Sequence, residues 1–78
     1  MESPVLLEVT WHDTYFDFDQ PHEPRFDYLV RTVGYVVSET PTYLSVAAEL
    51  LPDGDGFRAI THVHRASIHS RVVLERLP

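Results

Sequence analysis

No lysine and no cysteine occur anywhere in this 78-residue chain. Without cysteine there is no disulfide to restrain the unfolded state and no thiolate for a zinc site. The lack also agrees with a reducing, cytoplasmic setting. A chain this short buries only about 60–65% of the surface its unfolded form exposes, so its core is thin. A regular barrel, a histidine–carboxylate metal site or self-association is left to stabilise it, and we expect a barrel that self-associates. No apolar run approaches the roughly 20 residues of a membrane helix. The stretch MESPVLLEVTW lacks the basic region and long apolar core of a signal peptide. The expectation is a soluble protein with no membrane partner.

The missing lysines sharpen the charge pattern. Net charge is −6, and residues 1–55 hold eleven acids against two arginines. Residues 56–78 reverse this, with one acid against four arginines. An acidic body disfavours sequence-independent binding to nucleic acid, which rests on neutralising phosphates. It suits head-to-tail packing of copies, acidic surface against basic end.

Hydrophobic periodicity is mostly that of strands. In residues 5–12 Val5, Leu7, Val9 and Trp11 share one face, with Glu8, Thr10 and His12 on the other and Leu6 as the exception. Residues 13–27, DTYFDFDQPHEPRFD, break the pattern and read as a long acidic–aromatic loop whose aromatics lid one end of a barrel. Residues 28–39 read as a second strand, β-branched and aromatic, with Gly34 marking a bulge or bend. Residues 43–50 read as a third, with Leu44, Val46, Ala48 and Leu50 on one face. Helix competes there through Ala-Ala-Glu-Leu-Leu, but the run is short and the alternation clean. Pro52-Asp53-Gly54-Asp55-Gly56 is a turn that makes a hairpin with residues 57–64. In that fourth strand Phe57, Ala59, Thr61 and Val63 alternate with Arg58, Ile60, His62 and His64. A hinge, Arg65-Ala66-Ser67, precedes a fifth strand with Ile68, Val72 and Leu74 inward and His69, Arg71, Val73 and Glu75 outward. The reading is one all-β domain: a small five-stranded SH3-like or Sm-like barrel with a one-turn 3-10 helix before the last strand.

Three short motifs carry a resemblance: Trp11-His12-Asp13, Thr32-Val33-Gly34-Tyr35-Val36, and Val63-His64-Arg65-Ala66-Ser67-Ile68 with a closing leucine at 74 or 77. The chain resembles a group of small bacteriophage proteins, mostly of unknown function. Their strands end in Trp-x-Asp, carry Thr-x-Gly-aromatic-aliphatic, and finish on Ile-Pro-x-x-x-Ile. The resemblance implies a phage-encoded barrel in the cytoplasm of a bacterial host and brings no activity with it. His64 stands where that pattern prefers proline.

The basic end supplies the candidate surface. Arg58, His62, His64, Arg65, His69 and Arg71 form a row that could bind a protein partner or a small anionic ligand. His62 and His64, two apart on a strand, share a face and could hold a metal ion, with His69 or a carboxylate as a third ligand. Ordinary surface histidines are the competing reading and are favoured, so no cofactor is expected. Asp13, Asp17 and Asp19 lack the glycine turn of a calcium loop, and Asp53 and Asp55 are explained by their turn. Ser67 and His69 are neighbours in sequence only, which does not make a nucleophile and base. Trp11 and the tyrosines could stack on RNA bases, but Trp11 fits a core better. The sequence therefore reads as a homo-oligomeric binding module that is not an enzyme. RNA binding of the Sm kind is the runner-up, and a metal protein through His62 and His64 comes third.

Overall fold

The computed structural model describes residues 4–12 and 29–78. The stretch 13–27, with Asp13, Asp17 and Asp19, lies outside the described residues, as does Tyr28. Five antiparallel strands form one sheet: β1 (Val5–His12), β2 (Leu29–Glu39), β3 (Tyr43–Leu50), β4 (Phe57–His64) and β5 (Ile68–Arg76). Their order is β4-β3-β2-β1-β5. The fold is thus all-β, and a one-turn 3-10 helix (Arg65–Ser67) precedes the last strand as expected. The sheet curls but does not close, because β4 and β5 are its two edges.

The β3–β4 hairpin follows from its turn. Leu51 N–H donates to the Gly56 carbonyl at 2.8 Å, and Asp53 and Gly54 take φ of 59° and 73°. Aspartate and glycine tolerate that left-handed region, so the loop closes at little cost. Counting out from it pairs Leu50 with Phe57, Val46 with Thr61, Leu44 with Val63 and Tyr43 with His64. The β2–β3 turn is held by one side chain: the Thr40 hydroxyl accepts from the N–H of Thr42 (3.2 Å) and of Tyr43 (2.9 Å).

Leu7, Val9, Leu44 and Val46 make the core, with Val5, Trp11, Val36 and Ile68 packed against it. The β1 alternation predicts this well. Trp11 is part of that packing rather than a stacking platform, and its indole N–H donates to Thr32 Oγ1 at 2.9 Å. On β3, Leu44 and Val46 are buried, but Ala48 and Leu50 are exposed. They share the predicted face. The open sheet simply leaves that end of its inner surface uncovered.

Two expectations need correction. Gly34 does not itself bulge. The β2–β3 register shifts a little further on, between Val36 and Ser38. Gly34 instead allows close approach: a Cβ there would stand 2.8 Å from the Ala47 carbonyl oxygen. The inward and outward sets of β5 also change. Trp11 faces Ile68 but Thr10 faces Ser70, so His69 is an extra residue, and Leu74 is a second one between Val73 and Glu75. Each bulge flips the alternation. Arg71 and Val73 therefore stand opposite the core residues Val9 and Leu7, while Val72 stands opposite Glu8 on the outer face.

Candidate binding surface

The curl and the two β5 bulges split the predicted six residues into separate environments. Arg58, Ile60, His62 and His64 lie along the outer face of the edge strand β4, each opposite an outer residue of β3. Arg58 donates twice to Glu49, at 3.1 and 2.9 Å, a bidentate pair that occupies both carboxylate oxygens and holds the guanidinium more firmly protonated. His62 Nδ1 and the Ser45 hydroxyl share a hydrogen bond of 2.6 Å. His64 meets Tyr43 edge-on, with ring centroids 5.2 Å apart. Thr40, Tyr43, Ser45 and His62 line a shallow pocket of about 440 Å³.

Arg65 and Arg71 belong to a different structure. Arg71 donates to both oxygens of Glu39 at 3.1 and 2.9 Å, and Arg65 Nε stands 3.4 Å from the same carboxylate. Arg65 also donates through its backbone N–H to the Thr42 carbonyl (2.8 Å) and through its guanidinium to the Thr40 carbonyl (3.2 Å). These bonds dock the β4–β5 turn onto the β2–β3 turn. Glu39 ends β2 and Arg71 sits on β5, with β1 between them, so the pair ties across the concave side of the sheet. His64 enters this turn, and Arg65 and Arg71 fasten the turn and the strand after it.

The hydrogen bonds from Arg71 hold the Glu39 carboxyl below its ordinary value; partial burial opposes this, and the charges of Arg71 and Arg65 add to the lowering. A carboxylate depressed by folding stabilises the fold above its unfolded value and loses that contribution as pH falls through the lowered value. Glu39→Gln should therefore destabilise the chain at pH 7 by about 1 kcal/mol, a figure discounted because the partners are about one-third exposed. In urea titrations the gap between the two proteins should persist at neutral pH. It should narrow once pH drops below the ordinary 4.5.

His69 is exposed at the β5 bulge, on the strand at the other end of the strand order from the β4 row. Among the described residues no three His, Cys, Asp or Glu side chains gather to hold a metal. Sequence reasoning missed Ser45, Tyr43 and Glu39. Ser45 and Tyr43 could have been found by counting register from the 51–56 turn, whereas Glu39 lies 32 residues from Arg71 and carries no local signal. No helix among the described residues is long and apolar enough to cross a membrane. No family model, curated protein or solved structure matches this chain.

Proposed function

We propose that this chain is a non-enzymatic binding module that works by protein–protein contact, first of all with copies of itself. The observation that carries this reading is a pair of strand edges that no described strand covers. Exposed edges template pairing with another chain, and proteins blunt them with lysine, proline or bulges. Neither β4 nor β5 has a lysine or a proline. Ile60 is 43% exposed on β4, and Val72 and Val73 are 54% and 44% exposed on β5. The bulges at His69 and Leu74 limit the regular part of β5 to Ser70–Val73. On β4 the positive φ of Ala59 leaves Ile60–His64 as the regular stretch. Two short edges of similar length suit a head-to-tail joint between β4 of one copy and β5 of the next.

Charge does not oppose that joint. Arg58 and Arg71 are each already paired with a carboxylate of their own chain, so the two edges meet without bare like charges. This is also why protein contact is preferred to anion capture along the whole row. The resemblance to small phage proteins and the lack of cysteine support a module that works in the cytoplasm of a bacterial host. Sedimentation velocity over a range of concentrations should give masses above that of one chain, rising with concentration. A single-chain mass at every concentration would sink the reading.

A further inference from the structure

The uncovered end of the inner sheet surface forms a groove of about 730 Å³. That lies within the range of small-molecule sites. Its walls are Val5, Val36, Leu50, Leu51 and Phe57, and Glu39 stands at its rim. Glu39 is also where the two guanidiniums converge. Among the described residues it is the one carboxylate paired with either Arg65 or Arg71. Two positive charges against one negative leave a surplus of one at the mouth of an apolar groove. A ligand that complements both features has an aliphatic body and an acidic head.

We infer that the groove binds a small amphipathic carboxylate. Its chain lies against Val36, Leu50 and Phe57, and its head shares Arg65 and Arg71 with Glu39. Arg65 is the less tightly held guanidinium: its side chain is 44% exposed, and beside its 3.2 Å bond to the Thr40 carbonyl it meets Glu39 through one 3.4 Å contact, where Arg71 makes two hydrogen bonds. A charge-assisted bond from Arg65 to the incoming head would favour a carboxylate over a neutral head of the same length. The apolar walls set affinity by chain length, since each methylene taken out of water contributes to transfer.

The test titrates the full chain with decanoate and decyltrimethylammonium below their micelle concentrations and with decanol below its solubility limit, following backbone amides by NMR. Decanoate should bind saturably and shift the amides of Val36, Leu50 and Phe57. Decanol should bind about five-fold more weakly, the scale of one half-exposed charge pair, and the cationic amphiphile more weakly still. Shortening decanoate should cost about two- to four-fold in affinity per methylene. Arg65→Gln should bring decanoate down to the affinity of decanol and leave decanol unchanged. No saturable decanoate binding, shifts confined to other parts of the sheet, or equal affinity for the three heads would overturn the inference. The comparison of heads uses the unaltered chain, so it stands even if the variant fails to fold. It is read independently of subunit mass.

Discussion

Replacing Leu44 with alanine is expected to lower the unfolding free energy by about 2–5 kcal/mol. Leu44 is fully buried and belongs to a core cluster of only four buried residues. It stands between Glu39 on β2 and Val63 on β4. Removing its isobutyl group loses the transfer free energy of the missing carbons. It also leaves a cavity that Val9 and Val46 can only partly fill. A domain of this size has a total stability of about 4–12 kcal/mol, so the loss is a large share of the total. Leu74→Ala is the control: Leu74 is 49% exposed at a bulge and should cost well under about 1 kcal/mol. Urea titrations followed by the fluorescence of Trp11, the only tryptophan, would report both. Equal losses at the two positions would contradict the assignment of the core.

Gly34→Ala should destabilise by about 1–3 kcal/mol. Local reasoning gives the opposite sign, because alanine restricts the unfolded chain and commonly stabilises by about 0.4–1 kcal/mol where it fits. It does not fit here. The new methyl would stand 2.8 Å from the Ala47 carbonyl oxygen and 3.1 Å from Val46 Cβ. Val46 Cβ is fixed in the core and the carbonyl in the β3 backbone, so neither can swing aside as a long side chain could. The neighbouring strand must move, and the curl of the sheet moves with it. A stabilised Gly34→Ala protein would mean that β3 does not pass this closely over β2.

Much of this architecture was legible in the residues, and the failures share a cause. Alternation broken only at Leu6 marks β1, and a strong turn signal marks the β3–β4 hairpin with a register that can be counted outward. The 3-10 turn before the last strand was readable from Arg65-Ala66-Ser67 between two alternating runs. Alternation then failed on β5, because a bulge at His69 leaves no mark in composition yet inverts the faces of Ser70–Val73, until the second bulge at Leu74 restores them. That one slip moved Arg71 from a supposed outer row to the inner rim, and exchanged Val72 for Val73 on the outer surface. The row of the candidate surface is therefore divided between two faces. Arg58, His62 and His64 do share a face, as a period of two requires. Arg65 and Arg71 instead fasten the fold through Glu39, a contact between residues far apart in sequence. Gly34 suggests a bulge or a bend from sequence alone, and the register shift falls instead between Val36 and Ser38; the close approach of Ala47 to Gly34 is a tertiary fact.

The absence of lysine acquires a physical meaning only with the topology. Lysine on an edge strand discourages pairing with another chain, and this chain leaves both edges without it. The direct test is a mixing experiment with two edge-blocked proteins, Ile60→Lys on β4 and Val72→Lys on β5, since both residues are exposed on the outer face. If β4 of one copy joins β5 of the next, each variant retains one usable edge and one spoiled edge. Each should then be a single chain in solution, and their mixture should form a one-to-one heterodimer that grows no further in native mass spectrometry. Variants that still form the full assembly on their own, or a mixture that stays monomeric, would contradict head-to-tail edge pairing as the working contact of this protein.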